Sequence, residues 1–120
     1  MNLQLDQASA ARVSFPDCAV MRFDLAQQQL SITTDGVFIE GRGFSGAPCE
    51  ICLFTDSRIT ARTYDMVDWR ETEPAQAKLG DICEWDVDGA DLRVRGFSTV
   101  SGYWTEVVIP HFSGKLDVAN

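Results

Sequence analysis

The stretch ICEWDVDGADLRVRGFSTVSGYWTEVVIP, from Ile82 to Pro110, decides the fold, because its strand register can be worked out from residue types alone. Asp88-Gly89 is a strong hairpin signal, since Asp and Gly tolerate the positive φ that a two-residue type I′ turn requires. With those two residues in the turn, Val87 is expected to face Ala90, Trp85 to face Leu92, Glu84 to face Arg93 and Cys83 to face Val94. Thr99-Val100-Ser101-Gly102 then returns the chain. That second loop sets Phe97 against Trp104, Arg95 against Glu106, Val94 against Val107 and Leu92 against Ile109. One face of the meander is apolar and the other charged, the signature of a half-buried antiparallel sheet. A slip of one residue would turn the whole apolar set to the other face, so the register is tightly specified. Glu84, Arg93, Arg95, Glu106 and the Phe97–Trp104 pair are expected on the outward side. Pro110 ends the last strand by removing a backbone donor.

Upstream, similar patterns recur. Cys18–Leu25 and Gln29–Thr34 alternate, and a turn at Ala26-Gln27 would bring Phe23 to Leu30 and Met21 to Ile32. Asp35-Gly36 reads as a second tight hairpin, joining Gln29–Thr34 to Val37–Gly41 with Ile32 beside Ile39 and Ser31 beside Glu40. Arg42–Pro48 reads as a glycine-rich connection. Cys49–Thr55 and Arg58–Tyr64 are expected to pair around Asp56-Ser57. Ile51-Cys52-Leu53-Phe54 is apolar on both sides, which predicts a strand covered on both faces. Residues 1–14 read as a flexible arm or one helical turn capped by Asp6, and 111–120 as a tail with a short strand at Leu116–Val118. The expected architecture is all-β: a single-domain antiparallel β-sandwich or open barrel of about eight short strands built from meanders, with at most one short helix.

The totals bound the function classes. A chain of 120 residues, 45% apolar and 23% charged, is one domain by length and buries a core without cross-links. No run approaches the roughly 18 apolar residues of a membrane helix, and no basic-then-apolar leader opens the chain. A cytoplasmic home follows as the expectation, with the four cysteines free and packed as small apolar residues. A net charge of −8 argues against nucleic acid and anionic membrane as partners. Nine of the eighteen acids fall between Asp65 and Asp91, so the charge concentrates in one quarter of the chain.

The motifs that could carry chemistry fail on context. Gly41-Arg42-Gly43-Phe44-Ser45-Gly46 spells a dinucleotide fingerprint, but Pro48 and a strand follow where a helix would have to begin. Cys49-Glu50-Ile51-Cys52 spells C-x-x-C, but strand residues three apart point to opposite faces and can neither bridge nor share a metal. Asp86, Asp88 and Asp91 suggest turn chemistry more than a calcium loop, because glycine comes too early and no glutamate closes the loop. His111 is the single histidine, which leaves a catalytic triad without partners. No catalytic residue, metal ligand or cofactor is assigned on these grounds.

What remains is a surface. Met66–Gly80, the longest gap between strands, is acidic, carries Trp69 and has room for one helical turn at Ala75–Leu79. Long loops in small domains often carry function, although a tryptophan more often folds back onto the core. The residues selected for binding are Asp68, Trp69, Glu71, Glu73, Phe97 and Trp104. The leading expectation is a non-enzymatic acidic domain that binds another macromolecule, a basic protein partner in an inhibitor or immunity-type role, or self-associates through a sheet face. The alternatives are a small-molecule carrier with an apolar cavity inside the barrel, and an enzyme using surface carboxylates.

Overall fold

The computed structural model describes residues 1–119. Eleven strands, most of them short, form two antiparallel sheets: β1 (Asn2–Leu5), β2 (Val13–Ser14), β3 (Val20–Leu25), β4 (Gln29–Ile39), β5 (Arg42–Phe54), β6 (Thr60–Tyr64), β7 (Trp69–Glu71), β8 (Glu84–Asp88), β9 (Asp91–Phe97), β10 (Trp104–Ile109) and β11 (Ser113–Val118). The first sheet has the order β1-β11-β5-β4-β2, with β3 also paired to β4, and the second has the order β7-β6-β10-β9-β8. One helical turn, α1 (Gln7–Ala10), and a 3-10 turn at Pro74–Gln76 complete the elements. The all-β arrangement of antiparallel meanders is thus the one expected. Among the described residues no helix is long and apolar enough to cross a membrane.

The meander of Ile82–Pro110 forms β8, β9 and β10. The β9–β10 register is the expected one, with Phe97 opposite Trp104, Arg95 opposite Glu106, Val94 opposite Val107 and Leu92 opposite Ile109. Between β8 and β9 the partner moves by two residues: Trp85 faces Val94, Val87 faces Leu92, and Glu84 faces Arg95 rather than Arg93. The cause is the turn. Gly89 has φ +60 while Ala90 does not turn positive, so the tight turn is Gly89-Ala90, of the II′ kind with glycine first. A two-residue slip preserves side-chain parity, so the inward set of β9 and β10 is unchanged. Ala61, Val107, Val94 and Trp85 make one inner row, and Val87, Leu92 and Ile109 the next. Cys83, expected in that inner set, is exposed instead.

The first sheet departs further from expectation. β4 runs straight through Asp35-Gly36, and the reversal comes at Glu40-Gly41, where both residues have positive φ (+53 and +81). Asp35 is held in the strand instead: its N–H donates to the Ala19 carbonyl and its carboxylate accepts the Ala19 N–H. A register shift between Thr34 and Gly36 inverts the side-chain parity there, so Thr34 and Val37 are both buried. The glycine-rich 42–48 segment is therefore part of β5 and not a connection. The β3–β4 pair also sits two residues from its expected register, with Phe23 opposite Ile32 and Leu25 opposite Leu30.

β5 and β6 do not pair. The Asp56-Ser57 loop carries the chain from one sheet to the other, and β5 lies between β4 and β11. Phe54 and Cys52 on its outer side are not covered as expected: Phe54 is exposed and Cys52 half-buried. Residues 2–5, expected as an arm, form an edge strand on β11. Asp6 caps α1 through a reciprocal bond with Ser9, satisfying two of the orphan groups at a helix start. The helical turn expected at Ala75–Leu79 is replaced by the shorter 3-10 turn.

A single apolar cluster joins the sheets, with Leu30, Ile51, Leu53, Leu92, Val94, Val107, Ile109 and Leu116 fully buried. The segment from Leu79 to Asp81 lies across the end of β9. Gly96 permits it, since a Cβ there would come 2.3 Å from the Asp81 carbonyl oxygen.

Candidate functional site

Alternation along the five strands of the second sheet sends every second side chain outward, and register aligns those side chains into rows. The first row is aromatic: Trp69, Tyr64, Trp104 and Phe97 are direct cross-strand neighbours on β7, β6, β10 and β9. At the spacing between neighbouring strands, the row spans about 14 Å. Its rings touch at its two ends, with Tyr64 and Trp69 centroids 5.6 Å apart and Phe97 and Trp104 5.2 Å apart in an edge-on arrangement. The Arg62 guanidinium lies 4.3 Å over the Trp69 ring, a cation–π contact on the outward face. Trp69 is accordingly not folded onto the core. It is 40% exposed, and Phe97 50%.

The next row alternates in charge across all five strands: Glu71, Arg62, Glu106, Arg95 and Glu84. Glu106, at the centre, is only 2% exposed although it lies on the outward face. Three arginines cover it. Arg62 Nε donates to Oε1 at 2.8 Å, Arg95 Nε to Oε2 at 2.7 Å, and Arg93 Nη1 to Oε1 at 3.4 Å. Burial pushes the Glu106 carboxyl up, but the hydrogen bonds from Arg95 and Arg62 outweigh it and hold the group below the usual glutamate range. The arginines extend the network outward, Arg95 to Glu84 at 3.2 Å and Arg93 to Asp88 at 3.3 Å. Asp86, expected to face Asp91, is opposite Arg93, and it is Asp88 that faces Asp91. On this face Glu71, Glu84, Asp86, Asp88, Asp91 and Glu106 stand against Arg62, Arg93 and Arg95, six carboxylates to three guanidinium groups. The surplus negative charge sits on the two edge strands.

Four of the six selected residues, Trp69, Glu71, Phe97 and Trp104, share this face. Asp68 and Glu73 lie just before and just after β7 and are exposed. Asp68 closes the β6–β7 turn through its backbone, donating its N–H to the Asp65 carboxylate at 2.9 Å, and its own side chain is not used there. Glu73 precedes the 3-10 turn and makes no side-chain cap. Tyr64, Arg62 and the Asp65 turn were not anticipated. Tyr64 and Arg62 become visible only once β6 is placed beside β10 instead of β5. Asp65 is fixed by the Asp68 and Val67 amides and by Arg70, which hold its carboxyl below the usual range.

The exposed large apolar side chains concentrate at the same end of the sheet. Met66, Val67, Trp69, Phe97, Val100 and Tyr103 are six of the nine among the described residues, all on the aromatic row or on the two loops that border it. Isolated exposed apolar residues are ordinary, whereas a contiguous group marks an interaction surface.

Elsewhere the groups that sequence motifs could implicate are disengaged. Cys49 is fully buried and Cys52 faces the other way, as strand parity requires. Burial pushes the Cys49 thiol up to about 11, and burial with neighbouring aspartates raises Cys18. Burial and Asp81 raise Cys83 as well, and thiols held above their ordinary range are poor nucleophiles. The G-x-G-x-x-G segment continues as β5 with Arg42 stacked over Phe44 at 5.2 Å, and no helix follows it. His111 is exposed in the β10–β11 turn, its backbone N–H donating to Asp91. Among the described residues no group of three or more His, Cys, Asp or Glu side chains is placed to hold a metal. No known protein family, curated protein or solved structure matches the chain.

Proposed function

We propose that this protein is a binding module that holds a basic protein partner on the outward face of its second sheet. The observation that carries this is the clustering of six exposed apolar side chains along and beside a four-residue aromatic row, next to a salt-bridged arginine network. Tryptophan, tyrosine and arginine are the residues that dominate binding energy at protein interfaces, and here they are held rigidly by cross-strand packing. Preorganised side chains lose little conformational freedom on binding, which favours affinity. The carboxylates at the sheet edges supply the complement to lysine and arginine on the partner, and steer its approach at low salt. Fully buried side chains between the sheets support a surface site over an internal ligand cavity.

The test is a synthetic peptide array in which net charge and aromatic content vary independently. The array is probed with the wild type, with Trp69→Ala/Phe97→Ala/Trp104→Ala, and with Phe54→Ala as a control on the other sheet. Binding is expected to favour basic peptides, to fall by about tenfold or more in the triple variant, and to persist in the control. Equal capture of acidic peptides, or an unaffected triple variant, overturns the proposal.

A further inference from the structure

β8 is the last strand of the second sheet and pairs only with β9. Because a two-residue turn joins them, Asp88 and Asp91 form a hydrogen-bonded pair, as do Asp86 with Arg93 and Glu84 with Arg95. Trp85 and Val87 therefore direct their N–H and C=O groups away from β9. Among the described residues no other backbone group takes them up. An unpaired edge of this kind is a template for another strand.

The side chains of β8 specify what that strand must look like. Glu84, Asp86 and Asp88 point outward at every second position, while Trp85 and Val87 point inward. Their row-mates Val94 and Leu92 are fully buried, but Trp85 and Val87 are only half-buried, so the inner side of this edge is covered only in part, by β2 and the Phe15 segment. Beside it runs a groove of about 490 Å³ between the Ser14–Pro16 segment and β8, floored by Phe15, Ile82 and Trp85. Trp85 is fixed in it by packing on Phe15 at 5.0 Å and by donating its indole N–H to the Ala10 carbonyl at 3.0 Å.

We infer that β8 captures an extended segment of a partner protein by strand addition, and that the segment alternates basic and apolar residues. Its backbone pairs with the N–H and C=O groups of Trp85 and Val87. Its basic side chains stand opposite Glu84, Asp86 and Asp88, and its apolar ones enter the groove beside Phe15 and Trp85. A second copy of this chain does not fit the edge, because two β8 strands side by side would set carboxylates against carboxylates. The basic character of the segment rests on the function proposed above, while the strand addition rests on the free edge and the groove.

The test uses the whole protein and three peptides: acetyl-Thr-Lys-Val-Lys-Val-Lys-Thr-amide, its twin with glutamate for lysine, and its twin with both valines N-methylated. Calorimetry measures affinity and amide hydrogen exchange locates the contact. The basic peptide is expected to bind about tenfold or more tighter than either twin and to slow exchange at Trp85 and Val87. Val87→Pro removes an outward donor without taking a bond from β9, and is expected to abolish binding. The N-methylated twin removes the reciprocal donors, the peptide N–H groups aimed at the Trp85 and Val87 carbonyls, and leaves the protein unaltered. If the two lysine peptides bind alike, or protection appears on β6, β7 and β10 and not on β8, strand addition is wrong while the aromatic face still stands. If Val87→Pro loses binding but Trp69→Ala/Phe97→Ala/Trp104→Ala keeps it, the edge stands and the aromatic face is wrong. If the acidic twin binds as well as the basic one, the basic partner proposed above is wrong, and strand addition stands only where β8 is still protected and the N-methylated twin still fails.

Discussion

The two faces of the second sheet are built from the same strands and differ only in side-chain parity. On β9 and β10 the inward residues Leu92, Val94, Val107 and Ile109 are fully buried and apolar. The residues between them, Arg93, Arg95, Phe97, Trp104 and Glu106, form a polar and aromatic surface. The inner face is held by packing, where each side chain depends on its neighbours' volumes. The outer face is held by directional pairs across strands, and it leaves rings and charges available to another molecule. One backbone register therefore sets both core and binding surface, and an error in it would lose both together.

The difference is broken most severely from the inside. Leu92→Ala removes three heavy atoms' worth of volume at a position with no solvent access, and is expected to cost about 3 kcal/mol in urea unfolding. Second comes the one place where the outer face behaves like a core. Glu106→Gln leaves Arg62, Arg93 and Arg95 without their shared anion. Those arginines keep 22–45% of their side-chain surface in water, so the cost at pH 7 is expected near 2 kcal/mol and not at the upper end for a broken buried pair. The pH dependence has a definite sign. Folding lowers the Glu106 pKa, so its contribution is complete above the unfolded value near 4.5 and is lost as pH falls through the folded value. The stability gap between wild type and Glu106→Gln is therefore expected to shrink from pH 7 towards pH 3. A constant gap would mean that the ion pairs contribute nothing and the loss is one of packing.

Legibility followed the same division. The β9–β10 register and its two faces could be read because alternation is strict there and the return loop has the length a hairpin needs. Where glycine stands beside aspartate, local sequence and structure part in two ways. At Asp88-Gly89 the turn lies one residue later, at Gly89-Ala90, which shifts partners by two residues but spares parity. At Asp35-Gly36 no turn exists, because the aspartate spends its hydrogen-bonding groups on Ala19 and a bulge absorbs the extra residue. Pairing β5 with β6 failed for a different reason: nothing local distinguishes a hairpin from a chain that changes sheets. That pairing hides Arg62 and Tyr64, since their place beside Glu106 and Trp104 depends on contacts 44 and 40 residues away. The selected residues on β7, β9 and β10 met on one face because each lay outward by parity. Asp68 and Glu73, chosen for charge alone, lie at its margin.

Phe97 is where the contributions to folding and to binding separate most clearly. Phe97→Ala removes a side chain that is half exposed and touches chiefly the edge of Trp104. Only the edge-on ring contact and a fraction of the apolar area are lost, so the expected change in urea unfolding is about 0.5–1 kcal/mol, well below that of Leu92→Ala. An inner and an outer residue five positions apart on one strand would then differ several-fold in their worth to folding, while the outer one carries the larger loss of peptide binding. A surface kept for packing would show the reverse: a Phe97→Ala cost approaching that of Leu92→Ala with binding untouched. Measuring both quantities on both variants separates these cases, because stability reports the inner face and peptide affinity reports the outer one.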